Sequence, residues 1–329
     1  MRPNHNIILT FLFITGVLLI GCTNKDFSDK TTAECKNTQN PQEKNYCYSK
    51  VAIAEQDISV CDLIPNVDDD KINTISEKSR YLPPPYLRAT CLMEVAKLKR
   101  DIKICEMIEI EYFKDNCLTN IAIINQDVQI CYKIKSEYEK DNCFDKIARL
   151  KLDSSICQKM VNTNNTHFCL KYVAINSKNA DICEFITSQT FKDWCFLEVG
   201  QAKLDILICQ RILDQGSKDN CLLSVSQSTT DLSICPNIIA EYPKNSCYQN
   251  IAKSKQDLSI CENINETKSK SDCILNVAIS KKDIAICKGV NLGERDYCIK
   301  EIAKLKNDFS ICNTIEDQFY RDFCLQEVK

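Results

Sequence analysis

With 329 residues, 42 basic against 45 acidic side chains and a net charge of −3, the chain lacks the positive excess that nucleic-acid binding requires. Its 6 glycines and 8 prolines are too few for a turn-rich all-β chain, and its 23 cysteines exclude an ordinary mesophilic cytosolic protein. The expectation is an exported helical protein in which cysteines carry part of the stability.

The first 22 residues read "MRPNHNIILTFLFITGVLLIGC". One basic residue, Arg2, precedes an apolar run from Ile7 to Ile20 that is too short to cross a bilayer comfortably and fits the core of a signal peptide. The run ends in "LIGC", Leu19 to Cys22, which resembles the signal of bacterial lipoproteins. That resemblance implies that residues 1–21 are removed and that Cys22 carries palmitate-type acyl chains. Each buried CH₂ of such chains contributes about 0.8 kcal/mol, so a multiply acylated cysteine anchors firmly. An ordinary secretory signal that happens to end in cysteine is the alternative. Thr23, where inner-membrane retention would favour Asp, points to the outer membrane of a two-membrane bacterium, and otherwise to the outer face of the cell membrane. Residues 22–30 form the lipidated N-terminus and a short polar tether.

From Thr31 to Lys329 the chain repeats itself. Eleven copies begin at Thr31, Asp57, Asp101, Asp127, Asp153, Asn179, Asp205, Asp231, Asp257, Asp283 and Asp308. Eight are 26 residues long; copy two gains an insertion at about 66–83, copy ten is 25 residues, and the last stops at Lys329. Each copy reads as two helices. The first opens on Asp, Asn or Thr, whose side chain accepts from the free N–H groups of a first turn, and is expected to run about eight residues. The second carries an apolar stripe such as Cys143, Phe144, Ile147 and Ala148, which share one helical face. A small residue recurs on it, Ala148 or Ala174 in most copies, Gly200 and Ser226 in two, and lets a neighbouring helix approach closely. Period-two alternation is not sustained, so strands are not expected. One such hairpin buries too little apolar surface to stand alone, whereas stacked hairpins share a continuous core. The expected fold is an all-α solenoid of short, disulfide-stapled helical hairpins.

Setting Cys22 aside leaves two cysteines per copy: Cys35 and Cys47, Cys61 and Cys91, Cys105 and Cys117, Cys131 and Cys143, Cys157 and Cys169, Cys183 and Cys195, Cys209 and Cys221, Cys235 and Cys247, Cys261 and Cys273, Cys287 and Cys298, Cys312 and Cys324. Pairing within a copy, usually 12 residues apart, uses all 22. Pairing across copies, always 14 apart, strands Cys35 and Cys324. The insertion and the deletion both fall inside the 12-residue spacing, which favours neither scheme outright, because a loop inside a staple tolerates length changes. Within-copy pairing is the expectation and cross-copy pairing the alternative. In architecture the array resembles the cysteine-rich proteins built from Sel1-like αα-repeats, which place one bridge per helical hairpin and are exported. Their repeat is longer and their cysteines are spaced differently, so the resemblance implies a fold type and no functional residue.

Structural zinc, redox and haem motifs need close cysteine pairs, and no two cysteines here are nearer than 11 positions. In the insertion, Asn66, Asp68, Asp70 and Glu77 stand at positions 1, 3, 5 and 12 of an EF-hand-like loop. Lys71 replaces the glycine such a loop needs, so a solvated acidic loop is the stronger reading and no cofactor is expected. The following "YLPPPY", Tyr81 to Tyr86, suggests a stiff polyproline segment. His167 sits two before Cys169, in a slot that holds Asp115, Asp141, Asp193, Asp219, Asp296 and Asp322 in other copies. The slot is expected at the surface or at a helix start, with the regularity of the acids arguing for capping rather than acid–base chemistry. Trp194, the one tryptophan, is open between packing and binding.

These features predict a membrane-anchored envelope protein that is not an enzyme and that works as a scaffold or a protein- or peptide-binding surface, with no nucleic-acid partner. A structural spacer without a specific ligand is one alternative; an enzyme with an unrecognised acidic site is the other.

Overall fold

The computed structural model describes residues 30–66 and 84–328. Among these residues the chain is helices and turns without a strand, an all-α solenoid of repeated helix pairs. The signal segment, Cys22, and Asp68, Asp70 and Glu77 of the calcium-like loop lie outside the described residues. No described helix is long and apolar enough to cross a membrane.

Copy four shows the plan. Asp127 caps a four-residue helix, Val128–Cys131, by accepting from the Gln129 N–H. The chain then turns, and a 15-residue helix, Glu137–Lys151, follows. The first helix is shorter than the expected eight residues. Ile134, three past the cysteine, lies in the turn rather than in the helix: its N–H donates to the Cys131 carbonyl at 3.2 Å while its side chain is buried. Its counterparts Ile108, Ile186, Ile212, Ile238 and Ile264 are buried as well. In copies six, eight, nine and ten the first helix is 3₁₀, as in Leu232–Asn237. Pro84, Pro85 and Tyr86 are not polyproline but open the helix Pro84–Lys99. Proline suits a first turn, where its missing N–H would have no helical partner.

The link between copies is a single residue. Each long helix but the last ends on one left-handed position, such as Gln56, Leu152, Leu204 or Asn307, with φ between 50 and 55° at all ten junctions. The next residue is the cap of the following short helix, and its N–H reaches back into the helix it has left: Asp57 N–H to the Ala52 carbonyl at 3.0 Å, Asp153 to Ala148 at 3.1 Å. This double-bonded helix end fixes the path. It explains why the 14-residue cysteine spacing never varies while the 12-residue one does.

Each copy contributes cysteines, large apolar residues and a small residue to the core of its own unit. In copy four Cys143, Phe144, Ile147 and Ala148 are all fully buried. The chain forms two compact units, one ending at Cys117 and the other running from Leu118. The first holds the disulfides of copies one to three and the second those of copies four to eleven.

Candidate interaction surface

The bridges close within copies. Cys105 bonds Cys117, Cys131 bonds Cys143, and so on for eleven pairs, ten of them 11 or 12 residues apart and Cys61–Cys91 30 apart through the insertion. Each bridge also shapes the junction. A Cβ added to Gly200 of copy six would stand 2.9 Å from Cys221 Sγ and 3.2 Å from Cys209 Sγ, the bridge of copy seven. Ser226 Oγ of copy seven likewise lies 3.1 Å from Sγ of Cys247, in the disulfide of copy eight. The small residue therefore makes room for the next copy's disulfide, a closer tenant than the helix expected there.

The slot two before the second cysteine differs from its expected place at the surface or at a helix start. Asp141, Asp193, Asp219 and Asp296 are buried in mid-helix. Each reaches across to the loop of the next copy. Asp141 accepts from the N–H groups of Val161 and Asn162, Asp193 from Leu213 and Asp214, Asp219 from Ile239 and Ala240, and Asp296 from Glu316 and Asp317, at 2.7–3.3 Å. Two N–H groups meeting two carboxylate oxygens need an acid at that point, which accounts for its recurrence. The acids cap, but they cap the neighbouring copy. His167, in the same slot of copy five, is buried and its Nε2 lies 3.0 Å from Thr187 Oγ1 of copy six. It spans the same junction with a different pair of groups.

The Asp residues that open the short helices do what their position predicts. The Ser59 hydroxyl and N–H hold the Asp57 carboxyl below its ordinary value, and Ser233, Ser259 and Ser310 do the same for Asp231, Asp257 and Asp308. The described residues contain no group of three His, Cys, Asp or Glu placed to hold a metal ion. Of the calcium-like set, Asn66 is described, and its amide donates to Glu109 at 2.6 Å.

Open clefts lie between neighbouring copies. The larger, about 740 Å³, has its charges already matched: Lys268 bridges Asp272 and Glu294, and Lys270 pairs with Glu262. A smaller one of about 290 Å³ lies between the long helices of copies four and five and is floored by Tyr138, Arg149 and Phe168.

That smaller cleft borders the most distinctive surface of the second unit. Phe168 on Thr163–Ser177 and Phe191 and Trp194 on Gln189–Lys203 form one aromatic cluster, and Tyr172 lies one turn beyond Phe168 on the same helix. Phe168 meets Phe191 and Trp194 edge-on at 5.2 and 6.1 Å between centroids. Lys171 Nζ sits 3.2 Å from the Trp194 ring centroid and pairs with Glu198 at 2.9 Å, and the Arg149 guanidinium lies 4.4 Å over Tyr172. These cations hold the rings in place, yet Phe168, Tyr172 and Trp194 remain 42%, 37% and 41% exposed. Half-exposed rings held at fixed angles are typical anchors of protein interfaces. Considered alone, Trp194 could not be assigned to packing or to binding. The signal lay in comparing copies: the residue before the second cysteine is polar at Thr90, Asn116, Asn142, Asn220, Ser246 and Asp272, but aromatic at Tyr46, Phe168, Trp194, Tyr297 and Phe323, and of these Phe168 and Trp194 fall in consecutive copies and touch.

No protein-family model matches the chain, and no curated protein matches it. Among solved structures, the one described as "Crystal structure of Ton1535 from Thermococcus onnurineus NA1" aligns over 90% of this chain and 94% of its own at 13% identity, with a TM-score of 0.26. A superposition that loose carries no inference about fold or activity.

Proposed function

We propose that this chain is a lipid-anchored, non-catalytic scaffold of a bacterial envelope whose second unit offers an aromatic surface to a protein or peptide partner. The observation that carries the reading is the cluster of Phe168, Phe191 and Trp194, with Phe168, Trp194 and the neighbouring Tyr172 half-exposed, on a frame cross-linked in every copy. A stapled frame loses little freedom when a partner docks, so ring burial appears as affinity rather than being spent on ordering. Eleven disulfides suit an oxidising compartment outside the cytosol. The "LIGC" sequence supports an acyl anchor at Cys22.

The test is a photocrosslinking residue placed at Trp194 or, as a control, at Asn220, the same position of copy seven. The reading expects a defined protein adduct from position 194 in intact cells and none from position 220. Equal labelling at both, or at neither, would overturn it. The intact mass of the detergent-extracted chain tests the anchor separately: a mass matching removal of residues 1–21 plus acyl chains supports it, and an unmodified N-terminus refutes it.

A further inference from the structure

The aromatic patch of copies five and six has a counterpart elsewhere in the second unit. Counting from the second cysteine of each copy, copy five places Phe168 one before and Lys171 two after. Copy six then places Phe191 four before, Trp194 one before and Glu198 three after. Copies ten and eleven repeat this set position by position: Tyr297 and Lys300, then Tyr320, Phe323 and Glu327. In all eleven copies the position two after the second cysteine holds lysine only at 171 and 300. The placing of the lysine against a ring and an acid is repeated too, although the rings themselves touch differently. Lys300 Nζ lies 5.1 Å from the Tyr297 ring centroid and 4.8 Å from that of Phe323, and it approaches Glu327 at 3.7 Å. Tyr297 and Phe323 are each 40% exposed, matching Phe168 and Trp194, and Phe319 beside them is 72% exposed.

Folding does not account for the duplication. Six copies carry a polar residue where these rings stand and still build the same hairpin. Each patch holds a cation and a carboxylate beside its rings, so it is electrostatically self-complementary: the lysine of one patch can face the glutamate of another. Area points the same way. A half-exposed aromatic ring leaves about 60–100 Å² open, so one patch offers about 300 Å². A stable interface needs about 800 Å² per partner, which one patch cannot supply and two together approach.

We infer that the two patches pair reciprocally in a dimer of this chain: copies five and six of one molecule pack against copies ten and eleven of the second, and the converse, across a two-fold axis. A two-fold contact of this kind requires that residue i meets j and j meets i, and a duplicated patch provides for that. The inference rests on the proposal that the aromatic surface is an interface, and it names a second copy as the occupant.

The test is sedimentation velocity of the full chain in neutral detergent over a concentration series up to about 100 μM, where even weak association registers. Two double variants are compared with the parent: Phe168→Asn with Trp194→Asn, and Tyr297→Asn with Phe323→Asn. Each introduces the asparagine that copies four and seven already carry at this position, so the hairpin is retained. Circular dichroism and the absence of alkylatable thiols check the fold. Reciprocal pairing expects the parent to dimerise, each double variant to weaken the dimer at least tenfold, and Trp194 emission to shift to the blue on association. A parent that stays monomeric overturns the inference, as does a dimer that only one double variant weakens, or neither. If the parent is monomeric while position 194 still crosslinks a different protein in cells, the dimer is refuted and the interface reading stands.

Discussion

Replacing Asp219 with alanine measures how strongly consecutive copies are coupled. Its carboxylate is 1% exposed and accepts the N–H groups of Ile239 at 3.1 Å and Ala240 at 2.7 Å, with the Gln215 amide at 2.7 Å. A hydrogen bond to a carboxylate is worth about 1.5–3 kcal/mol, so the two that cross the junction represent about 3–6 kcal/mol in gross terms. Part is recovered, because Ile239 and Ala240 are exposed enough for water to reach the freed N–H groups and the burial cost of the carboxylate disappears. The net expectation is a loss of about 2–3 kcal/mol. Because stability in a repeat array is a sum of copy and junction contributions, the loss should be local. Urea unfolding with the disulfides intact gives its size; hydrogen exchange gives its place, with faster exchange at 232–250 and unchanged exchange in copies four and eleven. Asp219→Asn should cost less, about 1–2 kcal/mol, since one acceptor remains and Asn245 fills this slot natively. Asp322→Ala is the control: Asp322 is exposed and accepts from Gln318, so its loss should stay within about 0.5 kcal/mol. Equal effects of Asp219→Ala and Asp322→Ala would refute the account of the junction.

Other expectations follow from the same geometry. Gly200→Val should destabilise the junction of copies six and seven by about 1–3 kcal/mol, because the new side chain meets the Cys209–Cys221 sulfurs, and thermal unfolding will register it. Leu204, left-handed at φ 55° and 44% exposed, should gain about 0.5–1 kcal/mol on replacement by glycine, seen as a higher urea midpoint. Replacing Cys131 and Cys143 together with alanine should cost about 3 kcal/mol from the loop closed, and the same change at Cys61 and Cys91 slightly more because that loop is longer, measured by urea unfolding at fixed pH. In acid, the caps Asp57, Asp231, Asp257 and Asp308 have folded values below their ordinary 3.8. Their contribution is therefore complete above that pH and is lost as pH falls through the lower folded values, so a pH series of melting temperatures should decline below about pH 4.

The repeat itself was readable because caps, cysteines and the stripe at 143, 144, 147 and 148 recur at fixed spacing, and each has a local physical cause. The buried acids were visible as a column of Asp but were misplaced. Spacing shows that a residue repeats, whereas its burial depends on the loop of the next copy, which no local pattern reports. The same limit applied to Gly200, whose smallness answers to sulfur atoms of a different hairpin. The turn at Ile134 extended the apparent first helix, since a turn with i to i−3 bonds preserves the helical apolar spacing for one more residue. The aromatic cluster required aligning copies against one another, because Phe168 and Trp194 are 26 residues apart in sequence yet adjacent in space.

Closing each bridge within its own copy has a consequence for wear. Topologically the molecule is a string of eleven covalent rings, joined by single stretches of backbone that no bridge spans. A protease that nicks the chain between Cys131 and Cys143 opens a ring but releases nothing, since the sulfur bond still carries the connection. A cut beside a left-handed link, such as the Lys151–Leu152 bond, severs the string, leaving only buried acids and packed side chains to hold the two parts together. Degradation of such a protein should therefore proceed by whole copies, and its durability is set at ten one-residue links rather than along its loops.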